Sequence, residues 1–391
     1  MADQGSSQDS IRRFPAPRLS AARAVTRAHE PRSNQSFMPL PAPTGQYPFR
    51  LALEDVLPQP AMEAIRAAGR IVFHCVGDTG GVKDPAPQMA VANAMERDFG
   101  TSSEPSFFYL LGDVVYHYGA EEEYHAQFYE PYRHYPAPVF AFPGNHDGDV
   151  DPAKPDVGSL EAFTAHFCAP VPKLTVAAGP VDRAAMTQPN VYFTLNAPFI
   201  TLIGLYSNVP EGGLIAADQL RWLVDEVRAA PAENALVVGL HHPLYSVDSV
   251  HGSNVSLAAL VNGAFEEAGR YPDAVLAAHV HNYQRFTRVV DGGREMPYVV
   301  AGNGGNHQLY KVGDDSAGGT VTLPWRTPLE DHVTLVAYDD QGFGYMRMSA
   351  APGELSAEYV SVPKPGSGGT PAVRDRWRLD TRAHRVGPIS G

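Results

Sequence analysis

Five short apolar runs each end at a corner that carries Asp, Asn or His. Ile71–Val76 leads into Gly77-Asp78, Phe107–Leu111 into Gly112-Asp113, and Val139–Phe142 into Pro143-Gly144-Asn145-His146-Asp147. Ala235–Leu240 leads into His241-His242-Pro243, and Ala274–Ala277 stops just before His279. Short apolar runs without alternation predict strands covered on both faces. Helical spacing fills the gaps over Ala86–Phe99 and Glu121–Tyr129. It is clearest over Ala216–Ala230, where Leu220, Leu223, Val224 and Val227 share one side. Val191–Leu195 and Phe199–Leu205 predict a strand pair, and a β-rich stretch runs from Gln284 to Ser349. The pattern is β-α-β-α-β, then mixed, then β-rich. Its polar residues fall just past strand ends, where open α/β sheets bind ligands.

One Asp after an apolar run is ordinarily a turn or a helix cap. Five such ends, all with oxygen or nitrogen donors and no thiolate, ask for a common cause. The candidates are Asp78, Asp113, Tyr116, Asn145, His241, His279 and His281. Carboxylate, amide oxygen, imidazole and phenolate together suit Zn, Fe and Mn. Two cations about 3.5–4 Å apart repel and need an anion between them. Asp113, at the middle strand, is the natural bridge. Such a pair can bind phosphate oxygens and lower the pKa of a bridging water toward neutrality.

These residues carry a resemblance. Gly77-Asp78-Thr79-Gly80, Gly112-Asp113-Val114-Val115-Tyr116, Gly144-Asn145-His146-Asp147, Val237-Val238-Gly239-Leu240-His241 and Ala278-His279-Val280-His281 stand in order. They resemble the five motifs of the calcineurin-like metallophosphoesterases, and the purple acid phosphatase branch fits best: GDxG, GDxxY, GNH plus an acid, VxxH and GHxH. The likeness spans about residues 70–350. Ala278 departs from the family's Gly, adding a methyl that tests backbone geometry rather than ligand chemistry. The fold implied is α/β, a two-sheet β-sandwich flanked by helices (αββα) with the metals at the C-terminal strand ends.

The resemblance implies one metal held by Asp78, Asp113, Tyr116 and His281. A second is held by Asp113, Asn145, His241 and His279. The cofactors implied are two divalent or trivalent ions, iron with iron, zinc or manganese, since a phenolate ligand at Tyr116 favours Fe³⁺. The activity implied is hydrolysis of phosphomonoesters by metal-bound hydroxide, as in an acid phosphatase. A phosphodiesterase or nucleotide pyrophosphatase on the same site, and a non-catalytic metal-binding protein, are the alternatives. The DRG sequence that follows the second motif in serine/threonine phosphatases is missing. His146 neighbours a ligand yet sits one residue off, so it either donates a proton to the leaving group or orients Asp113 or Asp147. His251 either contacts substrate, as at a similar spacing in such enzymes, or is a loop residue. His242 competes with His241 for one ligand position, and Tyr116 either ligates or only packs. Asp147 is a candidate support for a metal-bound imidazole. Ala301–His307 (AGNGGNH) either shapes the pocket rim or makes a tight turn.

Charge bears on partners. The chain carries −13 overall, but residues 1–50 and 361–391 are each +4 and the stretch between them is −21. So acidic a body disfavours nucleic acid and leaves a small phosphoester as the expected substrate. No run approaches about 18 apolar residues, so no membrane span is expected. With no signal-peptide pattern either, the default expectation is cytoplasmic. Cys75 and Cys168 are expected as buried free thiols. The expected organisation is a flexible extension over 1–50, a catalytic domain over 51–362, and a flexible basic tail over 363–391.

Overall fold

The computed structural model describes residues 39–208, 213–248, 250–313, 321–327, 330 and 332–387. Two sheets hold the described strands. One runs, edge to edge, Arg385–Gly387, Ala372–Asp380, Glu354–Val362, Phe343–Ala351, Ile71–Val76, Phe108–Leu110 and Val139–Ala141. The other runs Arg50–Ala52, Phe193–Ala197, Ile200–Leu205, Ala235–Leu240, Ala274–Ala277, Arg294–Ala301, Tyr283–Val290, Val333–Asp339 and Trp325–Arg326.

Each sheet has a parallel centre. Ile71–Val76, Phe108–Leu110 and Val139–Ala141 are parallel neighbours, as are Ile200–Leu205, Ala235–Leu240 and Ala274–Ala277. Parallel strands place all their C-terminal ends on one side, so the five corners leave the two sheets together. The centres are buried along their whole length, which is why the sequence shows apolar runs rather than alternation. Helices cover the outer faces: Gln59–Ala68 and Ala86–Glu96 on one sheet, Ala217–Ala229 and Val255–Ala268 on the other. The Ala217–Ala229 helix buries Leu223, Val224 and Val227 as its spacing predicts, while Leu220 is only half-buried and Trp222 is buried in addition. It also buries Glu226, which meets Arg50 at 2.8 Å and the Thr194 hydroxyl at 2.7 Å.

His74 is a polar residue inside a core strand. Its Nε2 lies 2.9 Å from Asp98, which also takes hydrogen bonds from Tyr345 at 2.9 Å and Arg347 at 2.6 Å. The imidazole is thus buried with partners rather than orphaned. Cys75 and Cys168 are free and buried.

Three expectations change. The flexible extension over 1–50 lies mostly outside the described residues, but its end is part of the fold. Thr44 and Gly45 donate to the Pro189 carbonyl at 3.1 and 2.8 Å, and Arg50–Ala52 is an edge strand. The basic tail over 363–391 is no tail through residue 387. Ala372–Asp380 pairs antiparallel with Glu354–Val362 and buries Trp377 and Leu379. Arg285 and Tyr283 of the other sheet both bond Asp375, at 2.6 and 2.7 Å, and fix the strand to the body. The arginines that made the segment look like a solvated tail, Arg374, Arg376 and Arg378, are the outward half of a period-two strand. Glu121–Tyr129 is not one helix but a 3₁₀ turn at Glu121–Glu123 followed by a π turn at His125–Tyr129.

Candidate metal centre

The three corners of one sheet and the two of the other meet at a single buried point. Asp78, Asp113, Tyr116, Asn145, His241, His279 and His281 are all buried. Three of them, Asp78 (φ 55°), Asp113 (φ 52°) and His279 (φ 66°), have left-handed backbone. That region is sparsely populated by non-glycine residues and marks backbone held in place by its surroundings. The holding bonds cross between corners. The Asp78 amide donates to the Gly112 carbonyl at 3.0 Å, and the His279 amide donates to Asp78 Oδ2 at 2.6 Å. A Cβ at Gly144 would strike the Asp113 carboxylate, so only glycine lets these two corners approach.

The side chains form two adjoining groups. In one, Asp78 Oδ1 lies 3.1 Å from the Tyr116 hydroxyl and 3.4 Å from His281 Nε2. In the other, Asn145 Oδ1 lies 3.1 Å from His241 Nε2 and 3.0 Å from His279 Nδ1. Asp113 Oδ2 is 3.3 Å from His241 Nε2, and Asp113, His241 and His279 present ligand atoms within 4.8 Å of one another. The two groups adjoin at His241, whose Nε2 is also 3.9 Å from Asp78 Oδ1, and the Asp113 charge acts on Tyr116 and His281.

The imidazoles are oriented from behind. His241 Nδ1 lies 2.9 Å from the Leu111 carbonyl and His281 Nδ1 lies 2.7 Å from the Gln308 carbonyl. A carbonyl accepts only, so each Nδ1 carries the hydrogen and each Nε2 turns its other side to the carboxylates. Nitrogen lone pairs aimed at anionic oxygens need a proton or a cation between them. Burial alone would depress His241, but the charges of Asp113 and Asp78 outweigh it and lift it to about 9. Burial likewise opposes ionisation of Asp113, yet His241 and His146 hold its carboxyl well below the usual range. Burial pushes the Tyr116 phenol up, and the two aspartates add to that. Oxygen and nitrogen donors aimed at one another, with a proton held at His241 where a cation could sit, fit metal binding.

The remaining candidates surround this point. The His146 amide donates to Asp113 Oδ1 at 2.9 Å, and its half-buried ring packs on Tyr116 at 4.5 Å. His251 packs on His279, with ring centroids 4.3 Å apart. His242 turns away to the Ser207 hydroxyl at 2.8 Å, leaving His241 as the imidazole of this corner that faces the donors. Asp147 grips backbone: it accepts from Val114 at 3.0 Å, Val115 at 3.3 Å and Gly144 at 2.8 Å. Burial and the Asp113 charge nonetheless push Asp147 up to about 7. Residues 301–307 press on the Asp78 corner, with Gly304 and Asn306 amides donating to the carbonyls of Gly77 and Asp78 at 3.1 and 2.9 Å. The methyl of Ala278 is buried against the space left by Gly77, where any Cβ would come within 2.5 Å of it. His117, which the spacing did not single out, lies 3.3 Å from His146.

Residues 71–283, more than half of the chain, match the calcineurin-like phosphoesterase family. The chain belongs to that family. The match takes in all five corners. Over 171 residues this phosphoesterase-family chain is 24% identical to purple acid phosphatase 21 of Arabidopsis thaliana, covering 42% of this chain and 36% of that protein. In fold it resembles purple acid phosphatase PPD1 from yellow lupin (Lupinus luteus) seeds, with a TM-score of 0.57 at 15% identity, covering 80% of this chain and 54% of that one. It also resembles PhoD, with a TM-score of 0.51 at 13% identity, covering 82% of this chain and 72% of that one. The chain spans about a third to a half of the length of the purple acid phosphatases it matches. No helix among the described residues is long and apolar enough to cross a membrane.

Proposed function

We propose that the chain is a two-cation phosphoesterase that hydrolyses small phosphomonoesters. The observation that supports the proposal is the meeting of Asp78, Tyr116 and His281 with Asp113, Asn145, His241 and His279 at one buried point. Asp78, Asp113, Tyr116 and His281 would hold one cation, and Asp113, Asn145, His241 and His279 the other. When bound, such a pair polarises phosphoryl oxygens and activates water near neutral pH. The phenol of Tyr116 favours Fe³⁺ on its side, with iron, zinc or manganese opposite.

The protein's own groups do the rest. Asp113 stays ionised because its oxygens are engaged by the His146 amide and His241. Asp147 holds the second and third corners together so that Asp113 and Asn145 keep their spacing. His146, beside the donors but outside both groups, gives a proton to the departing alcohol oxygen. His251, whose ring packs tilted on His279, supports a phosphoryl oxygen. The acidic middle of the chain favours a small substrate over a polyanion.

The test compares p-nitrophenyl phosphate with bis(p-nitrophenyl) phosphate on metal-loaded protein. Faster turnover of the monoester is expected, and preferential turnover of the bis-ester would move the assignment to a phosphodiesterase. His146→Ala should keep its metal and lose about 10²–10⁴-fold in turnover. Full metal content with no hydrolysis of either ester would leave a metal-binding protein and end the enzyme reading.

A further inference from the structure

Residues 306–312 leave the glycine-rich turn and cross the Asp78 side of the donor cluster, bound to it at alternate residues. The Asn306 amide donates to the Asp78 carbonyl at 2.9 Å, and its side chain hydrogen-bonds Tyr116. The Gln308 carbonyl takes the hydrogen of His281 Nδ1 at 2.7 Å. The Tyr310 amide donates to the His281 carbonyl at 3.1 Å, and its own carbonyl accepts from Asn282 Nδ2 at 3.1 Å. Beyond the cluster, Val312 pairs with Asp248 as an isolated bridge and donates to Asp340 Oδ2 at 3.0 Å, while Lys311 donates to the Asp340 carbonyl at 2.9 Å. A segment tied at both ends and along its length is held taut, unlike a loop that merely passes by.

Tyr310 does more than bind through its backbone. Its half-buried ring lies flat on the His281 imidazole, with centroids 4.6 Å apart and planes 9° apart. It also packs on His251 at 5.2 Å and 60°. An imidazole tied only at Nδ1 can still rock about that hydrogen bond. A ring laid on its face blocks the rocking and keeps Nε2 aimed at Asp78 Oδ1, 3.4 Å away. Since the Tyr310 amide and carbonyl are fixed to residues 281 and 282, the two rings move as one piece with that corner.

We propose that residues 306–312 are a strap that fixes the donors of the cation on the Asp78 side, with Tyr310 the positioning residue that acts through His281. The proposal rests on the two-cation reading above. The strap touches Asp78, Tyr116 and His281, three of the four donors assigned to that cation. Toward the other cation its contact passes through His251, whose ring packs on His279 at 4.3 Å. Partners that orient a metal-bound imidazole are worth about 10–100-fold in metal affinity. The strap should therefore slow the loss of one ion and have little effect on the other.

Metal release, without any ester present, is the readout. Protein loaded with Zn²⁺ is mixed with excess EDTA, and the zinc still bound is followed with time. Tyr310→Ala should speed the loss of one ion by about 10–100-fold and leave the other within about 2-fold of wild type. Tyr310→Phe keeps the ring and should release both ions at wild-type rates. In a His281→Ala background, Tyr310→Ala should no longer change the release of the ion that remains. Melting of the metal-free proteins reports on the fold. Where Tyr310→Ala melts lower than wild type, Tyr310→Leu, which fills the space without a flat face, takes its place.

Unchanged release in Tyr310→Ala, equal acceleration of both ions, or the same acceleration in Tyr310→Phe overturns the strap. A further effect of Tyr310→Ala where His281 is already gone overturns its action through that imidazole. A wild type that binds a single ion overturns the two-cation reading instead. The strap then stands if Tyr310→Ala releases that ion faster than wild type does, and falls if the rates are equal.

Discussion

Nε2 of His241 stands 3.3 Å from Oδ2 of Asp113, while Nδ1 of the same ring is fixed to the Leu111 carbonyl at 2.9 Å. The ring cannot turn its lone pair away without breaking the second bond. With His241 lifted to about 9 by Asp113 and Asp78, the metal-free protein carries a proton there at neutral pH. Cation binding must displace it. Titration calorimetry at pH 7.5 in buffers of different ionisation enthalpy should therefore show about one proton released from His241 on metal loading. His241→Ala should remove that release and weaken the second cation. Chelation should lower the melting temperature, and elemental analysis of the loaded protein should give two ions per chain. A single ion with no proton release would refute the paired site.

Asp147 contributes by holding backbone rather than by facing the donors. Removing its carboxylate leaves the buried amides of Val114, Val115 and Gly144 without acceptors. Each orphaned donor costs about 1–3 kcal/mol. Asp147→Ala should lower the urea midpoint markedly, and cation affinity should fall about 10–100-fold as the two corners loosen. Unchanged affinity in a folded variant would separate this clamp from the metal centre.

The proposed ligation by Tyr116 makes the choice of metal testable. A phenolate on Fe³⁺ gives a visible charge-transfer band. Protein loaded with iron should be coloured, and Tyr116→Phe should be colourless while still binding ions. Full iron occupancy in a colourless wild type would remove iron from the Tyr116 side.

His74 and Asp98 set an acid limit on stability. Burial holds the His74 imidazole below its ordinary value against the pull of Asp98. Asp98 is also held low, because hydrogen bonds from His74 and Arg347 outweigh its own burial. For both groups the unfolded chain binds the proton more readily than the folded one. Their contributions are therefore present above the unfolded values, about 6.5 for His and 3.9 for Asp, and are lost as pH falls. The urea midpoint of metal-free protein should decline from pH 7 to pH 5. In His74→Gln, whose amide cannot titrate, that decline should be shallower, and parallel curves would exclude His74 as its source.

Much of the fold was legible because covered parallel strands leave a plain mark. Ile71–Val76, Ala235–Leu240 and Ala274–Ala277 are strands at the bounds that their apolar runs suggest. Ala372–Asp380 reads as a solvated tail because of Arg374, Arg376 and Arg378, although Trp377 and Leu379 alternate with them as a strand with one solvated face requires. The Val255–Ala268 helix is not legible in the sequence because its apolar residues are spread around it, leaving no clear stripe.

What the sequence determined by itself is the chemical inventory: seven oxygen and nitrogen donors, each delivered at or near the end of a buried strand, because both strand burial and donor type are local properties of the chain. Which donors face one another was decided only by the tertiary structure. His241 rather than His242 points at Asp113 because Leu111, on the other sheet, offers its carbonyl to the ring. Asp147 acquires its hold on Val114 only where two corners 30 or so residues apart are pressed together. Such contacts depend on how the sheets pack, and no spacing within the chain encodes them.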